Sequence, residues 1–358
     1  MTASHAPVPE TSPVVAASSE PSSRLDGAGA EPLRRLLSVV VPVYNEVDVL
    51  DLFLERIEPV LQKAADQYGL DWEIVAVDDG STDGTGRKLR ELAISHRKFV
   101  AVLLARNFGK EAALTAGLEH AIGEAVVPID VDLQDPPELI FEFIRHWLAG
   151  ADMVVGVRSD RSSDSAMKRW TSGKFYRVFN ALCRPGIPEN AGDYRLMDRK
   201  VVDAVLSMPE GNRFMKGIFA WVGFDTVYVD FVREARSAGQ TSWSYLKLMR
   251  YSIDAITGYS TVPLRIWSWV GFVVASISLI YGIYFFVKAL VLGDPVAGFP
   301  TLITVTLFAS GVQMMGLGVI GEYLGRLYLE AKRRPIYIAK DVIGRGSKDR
   351  DARQLPSR

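Results

Sequence analysis

The chain has 358 residues, 48% of them hydrophobic and 23% charged, and a net charge of −1. That length accommodates two domains, or one domain plus membrane spans, and so even a charge gives no electrostatic reason to expect a nucleic-acid partner. One cysteine, Cys183, excludes an internal disulfide and suits a reducing compartment, while His5, His96, His120 and His146 share no metal-ligand spacing.

Residues 1–36 are rich in Pro, Ser, Ala and Glu, lack a hydrophobic period and carry no apolar signal-peptide core, so they read as a disordered tail. Leu37–Tyr44 is a β-branched run suited to a buried parallel strand. Asn45-Glu46 follows, and then Val49, Leu50, Leu52, Phe53, Leu54, Ile57 and Val60 mark an amphipathic helix. A second strand, Trp72–Val77, ends in Asp78-Asp79-Gly80-Ser81-Thr82-Asp83-Gly84-Thr85, a tail of turn glycines and helix-capping side chains. A helix over about Gly86–His96 leads to a third strand, Phe99–Leu104, and to Arg106-Asn107-Phe108-Gly109-Lys110. A further helix, about Glu111–Ile122, precedes the apolar run Ala125–Ile129. Asp130-Val131-Asp132-Leu133-Gln134-Asp135 comes next, Pro136-Pro137 stops the strand, and a helix opens at Glu138.

This alternation predicts an α/β layer with a mainly parallel sheet, on which ligands sit beyond the carboxyl ends of the strands. Tyr44-Asn45-Glu46, Asp78-Asp79 and Asp130–Gln134 all lie at such ends. Residues two apart on an extended chain point the same way, so Asp130, Asp132 and Gln134 offer three oxygen-bearing side chains to one side. Hard divalent cations, Mg²⁺ or Mn²⁺, prefer such oxygens. An isolated D-x-D reads better as a helix-capping loop than as a metal site; the neighbouring polar strand ends reverse that preference.

Two uncharged stretches follow towards the C-terminus, Ile266–Val287 and Pro295–Gly321. At 1.5 Å per residue the first is about 33 Å long, enough for a hydrocarbon core of about 30 Å. The short connector makes them a hairpin, with spans expected at about 266–287 and 299–321 within a 265–325 region. Arg265, Arg326 and Lys332-Arg333-Arg334 flank one side and Lys288 the other, so the positive-inside rule places both ends in the cytoplasm. Before the hairpin, Trp243–Ser260 within the 236–264 region reads as an interfacial amphipathic helix, with a core helix as the alternative. Residues 326–358 are expected to be a basic cytoplasmic tail.

Val41-Pro42-Val43-Tyr44-Asn45-Glu46, the Val77–Thr85 segment and Asp130-Val131-Asp132-Leu133-Gln134-Asp135-Pro136-Pro137-Glu138 resemble the signature blocks of glycosyltransferase family 2. The long third block is similar to that of its polyprenyl-phosphate branch, which includes dolichol-phosphate mannose synthases and bactoprenol glucosyltransferases. The resemblance covers about residues 36–340 and implies a Rossmann-like GT-A fold over 37–235. It implies one inverting sugar transfer from a nucleotide-sugar, with uridine preferred and guanosine open, to polyprenyl phosphate at the bacterial inner membrane. It also implies a possible homo-oligomer, up to a tetramer.

By the same resemblance, Pro42, Tyr44, Glu46 and Asp79 line the nucleotide, and Asp130, Asp132 and Gln134 hold the metal. Arg158, Lys168 and Ser172 match positions that contact the lipid phosphate. Ser242 stands where many relatives carry a lysine, which shifts that contact to Arg236. Lys168 and Ser172 are also i,i+4 on a predicted helix and can face one phosphate. Asp132, Arg158 and Arg195 are expected at the reacting groups, with Asp193 orienting Arg195. Gln240-Thr241-Ser242-Trp243 does not complete the Q-x-x-R-W block of processive synthases. Competing readings are a hydroxyl acceptor such as diacylglycerol, or a membrane subunit that binds nucleotide-sugar without turnover.

Overall fold

A computed structural model describes residues 35–159, 177–182, 186, 191–211, 213–232, 260–292 and 298–344. Its centre is an eight-stranded sheet in the order β7-β5-β6-β4-β1-β2-β3-β8. The first four strands in the chain are β1 (Arg35–Val43), β2 (Leu70–Asp78), β3 (Phe99–Leu104) and β4 (Ala125–Pro128). They pair in parallel, with Val43 level with Asp78 and Asp78 level with Leu103. This register brings their carboxyl ends to one rim. Beyond β4 the pattern changes. β6 (Ala191–Asp198) inserts antiparallel between β4 and β5 (Met153–Arg158), and β7 (Thr226–Phe231) closes that edge parallel to β5.

Side-chain alternation assigns the two faces. Val39, Val41 and Val43 pack with α1 (Leu50–Tyr68), α2 (Thr85–Ser95) and α4 (Leu139–Leu148), through Phe53, Ile57, Leu89, Phe143 and Trp147. Val40, Val75 and Val77 face the other way, against α3 (Lys110–His120), α5 (Arg199–Ser207) and α6 (Met215–Trp221). Both faces are therefore dry, which is why the strands read as continuous apolar runs rather than alternating ones.

Two long helices follow, α7 (Val262–Leu292) and α8 (Phe299–Ala331). Among the described residues, Leu264–Tyr284 is long and apolar enough to cross a membrane, and it is not buried in the protein as a core helix would be. Trp269, Phe272, Ile280, Phe308 and Met314 all face outward. Where the helices meet, the Trp267 indole lies directly on Gly316; a Cβ at Gly316 would overlap it. Small residues admit this kind of close approach between apolar helices.

The C-terminal half of α8 is anchored twice. The Tyr323 hydroxyl donates to the Ser260 carbonyl (2.7 Å), and the Gly211 amide donates to Glu330 Oε1 (2.7 Å). Past α8 the chain returns to the sheet and adds β8 (Ala339–Ile343), antiparallel to β3. Arg90 pairs with Asp341 (2.7 Å), and the Tyr337 hydroxyl donates to Glu119. Within the basic tail expected over 326–358, α8 continues to Ala331 and 339–343 is an edge strand. Its alternation is too short to stand out from sequence. Most of the predicted interfacial segment, 243–259, lies outside the described residues.

Candidate active site

Three loops form the rim, and backbone bonds lock them together. In the β1–α1 loop, Asn45 adopts a left-handed backbone (φ 54°), which its short polar side chain tolerates. Its amide donates to Ser81 Oγ (2.8 Å) and its side-chain oxygen accepts from the Thr82 amide (2.9 Å). The Glu46 amide donates to Thr85 Oγ1 (3.1 Å) and the Val47 amide to Asp83 (3.2 Å). The Ser-Thr-Asp-Gly-Thr tail of β2 therefore shapes the loop carrying Tyr44 and Glu46. Tyr44 itself is 47% exposed at the strand end, open to a flat ligand.

Asp79 is buried, and its two oxygens accept the amides of Phe108 (2.7 Å) and Gly109 (2.9 Å). Burial raises its pKa in spite of those bonds. In this structure it ties the β3–α3 loop to the rim. Gly80 beside it has φ 72°, and a Cβ there would overlap the Arg106 backbone, so only glycine fits.

That tied loop delivers Lys110, the first residue of α3, to a place the sequence reading did not assign it. Its ammonium sits between Asp130 (2.8 Å) and Asp193 (3.2 Å). Desolvation disfavours the charge, but the two carboxylates outweigh it and raise the lysine pKa. Asp193 is desolvated too, yet Lys110, Lys216 and Arg195 hold its pKa down to about 2. The only sequence signal was the position of Lys110 in the polar segment that follows the third strand.

Past β4, burial alternates. Val131 and Leu133 are in the core, and Asp130, Asp132 and Gln134 are half-buried at the rim. Leu133 takes a left-handed backbone (φ 55°), and Asp132 Oδ1 accepts the Gln134 amide (3.2 Å). The Tyr194 hydroxyl donates to the Pro136 carbonyl (2.9 Å) and pins the turn. Among the described residues, no three Asp, Glu, His or Cys side chains gather into a closed metal cage. The donors that are present, two carboxylates and an amide at an open rim, suit an ion that draws its remaining ligands from substrate oxygens. The ammonium against Asp130 marks that place as one that accepts a cation.

Pro42 stands on β1 beside this group, lining a narrow crevice with Asp130, Asp135 and Asp193. Arg158 ends β5, half-buried, with Ser159 bonded to the Phe231 carbonyl (3.0 Å). Arg195 departs from its expected setting. It is 4% exposed, its Nη2 donates to the Gly192 carbonyl (2.7 Å), and its guanidinium stacks on Phe219 at 3.9 Å. The ion pair of Asp193 goes to Lys110, so Asp193 acts on Arg195 only through the field. Burial lowers the Arg195 pKa to about 10, leaving it charged near neutrality. Lys168, Ser172 and Arg236 lie outside the described residues.

The glycosyl transferase family 2 profile matches residues 38–206, which hold the rim and most of the sheet. The prophage bactoprenol glucosyl transferase homolog of Escherichia coli K12 is 47% identical over 86% of this chain and 99% of its own length. This chain belongs to glycosyl transferase family 2. It is a glycosyltransferase, with the GT-A form of α/β domain, of the polyprenyl-phosphate branch. The bactoprenol glucosyl transferase of Shigella phage SfV is also 47% identical, over 85% of this chain and 98% of that one. A solved mannosyltransferase, PcManGT from Pyrobaculum calidifontis in complex with GDP-Man and Mn²⁺, is 18% identical, with a TM-score of 0.41 over 79% of this chain and 87% of that one. A second profile, the GtrB C-terminal hairpin, matches residues 262–327, the extent of α7 and most of α8. The hairpin and its outward-facing apolar helix associate the enzyme with a membrane.

Proposed function

We propose that this glycosyltransferase moves one hexose from a UDP-sugar to polyprenyl phosphate, with inversion, at the cytoplasmic face of the bacterial inner membrane. Near full-length identity to bactoprenol glucosyl transferases supports the acceptor class. The observation that carries the chemistry is the state of Asp193. A hydroxyl acceptor needs a general base with a pKa near the working pH. Asp193, paired with Lys110 and held to about 2, is a poor one, whereas a phosphate monoester is already an anion at pH 7 and needs none.

In this reading Pro42, Tyr44 and Glu46 line the nucleotide, over the loop that Asp79 holds in place. Asp130, Asp132 and Gln134 would hold Mg²⁺ or Mn²⁺, which when bound supplies Lewis-acid neutralisation of the leaving diphosphate. Lys110 adds positive charge at the same place. Arg158, Lys168, Ser172 and Arg236 are the proposed holders of the lipid phosphate, whose oxygen attacks the anomeric carbon from the face opposite the diphosphate. The start of α7 and the end of α8 lie together at the catalytic domain, with Tyr323 bonded to Ser260 and Glu330 to Gly211, and this supports two spans with both ends in the cytoplasm.

The test is a donor panel with purified protein in detergent, scored by lipid-linked product. A UDP-hexose with undecaprenyl phosphate is expected to give product, and dephosphorylated undecaprenol none. Equal product from the two lipids would replace this reading with a hydroxyl acceptor.

A further inference from the structure

Lys110 is the first residue of α3, at the positive end of the helix dipole, where a cation is disfavoured. What its head group reaches explains a lysine at this position. Nζ lies 2.8 Å from Oδ1 and 2.8 Å from Oδ2 of Asp130, so one ammonium spans both oxygens of a proposed metal ligand. The root of the side chain is fixed, because Asp79 holds the Phe108 and Gly109 amides immediately before it. The four-carbon stem is flexible, and the side chain is about half exposed, so the head can exchange partners without any opening of the fold. Asp193, 3.2 Å away, gives the ammonium a second anion to rest on.

The pairing also decides which way Asp130 is held. Among the described residues, the crevice that Asp130 and Lys110 line is shared with Asp135 and Asp193, and neither Asp132 nor Gln134 borders it. Bound to the ammonium, Asp130 is drawn towards Asp193, whereas an ion shared with Asp132 and Gln134 needs an Asp130 oxygen at about 2.1 Å. A divalent ion brought to that carboxylate while the ammonium spans it would meet a like charge at close range. A nucleotide diphosphate changes the balance, since its oxygens neutralise the ion and offer the lysine another anion.

We propose that Lys110 is a placeholder cation: it covers Asp130 until a nucleotide diphosphate arrives, then gives up that carboxylate to the divalent ion that the diphosphate accompanies. Metal and donor consequently bind as a pair, each raising the affinity of the other by the same factor. This rests on the proposed assignment of Asp130, Asp132 and Gln134 to the metal, and it makes Lys110 the positioning residue that controls entry to their site.

Mn²⁺ binding to full-length protein in detergent is followed by the loss of the free-ion electron paramagnetic resonance signal, with and without UDP. For the unaltered protein, UDP is expected to tighten Mn²⁺ binding by about tenfold or more. Lys110→Gln should bind Mn²⁺ without UDP on the order of tenfold more tightly, and the effect of UDP should shrink by the same factor. Lys110→Arg, which keeps the charge, should retain the coupling of the unaltered protein. Adding Asp132→Ala to Lys110→Gln should remove the gained affinity. If the gain survives, the ion sits between Asp130 and Asp193 instead, and the placeholder role is overturned. It is also overturned if Lys110→Gln binds Mn²⁺ without UDP no more tightly than the unaltered protein, a result that leaves the metal assignment standing. An Asp130→Asn protein that binds Mn²⁺ with UDP as well as the unaltered protein does would instead overturn the metal assignment itself.

Discussion

Lys110 is where the two halves of the rim meet, reaching from the nucleotide side to Asp130 and Asp193. Replacing it with glutamine leaves two carboxylates facing each other across a partly wet gap. Because the lysine is about half exposed, the stability loss should be modest, about 1 kcal/mol, and larger in EDTA than in Mn²⁺. Thermal melts in the two buffers check this, and an equal loss in both would mean that no divalent ion enters the gap. Asp132→Ala removes a metal carboxylate and should cost about 4 kcal/mol of transition-state stabilisation, roughly a thousandfold in turnover. Near-normal turnover at saturating Mg²⁺ would rule the assignment out.

The same ion pair sets a pH expectation. Asp193 has a depressed pKa, so its contribution to stability is complete above the ordinary aspartate value, near ~3.9, and is lost as pH falls through about 2. Lys110 has a raised pKa, so its contribution is complete below the ordinary lysine value, near ~10.4, and is lost only as pH rises beyond it. Neither group changes charge between about pH 6 and 8, and the rate profile there should be flat. A steep basic limb that Asp193→Asn abolishes would show that a general base is at work after all.

At the scale of elements, the rim depends on loops holding loops. Gly80→Ala puts a Cβ into the Arg106 backbone at a left-handed position and should destabilise the fold by about 2 kcal/mol while raising the donor KM. Melting curves and donor titrations would reveal a loss of stability without a binding defect, the outcome that separates this loop from the nucleotide site. Parallel strands and the polar groups at their ends were legible in the chain because apolar runs and turn residues are local signals. Lys110 was not, since its partners lie 20 or more residues along the chain and reach it only through the pairing of β4 with β1 and of β6 with β4. The antiparallel β6 was equally hidden: Asp193-Tyr194-Arg195 reads as a motif, yet nothing local says that it slots between β4 and β5. In the hairpin, Gly316→Val should force the Trp267 ring away and lower stability in detergent by about 1–2 kcal/mol. Adding Trp267→Ala should recover part of that loss if the two residues pack as described.

On the scale of the whole molecule, the catalytic sheet and the membrane hairpin are not beads on a string. Ser260 and Gly211 hold α8 through Tyr323 and Glu330, and β8 carries the chain back onto β3. A protein ending after Ala331 would keep every rim residue yet expose the edge of β3. Its melting midpoint should fall by roughly 5–10 °C, about 2–3 kcal/mol, with increased aggregation. Unchanged melting would mean that the sheet is complete with seven strands.

Because β8 is made after both apolar helices, it emerges only when they have already left the translation machinery. The globular half can begin to collapse as soon as its own strands appear, but its last seam stays open until both apolar helices have been made. A chain interrupted anywhere within the hairpin therefore carries an unzipped sheet, so the two long helices and the last strand of the sheet are completed as one unit.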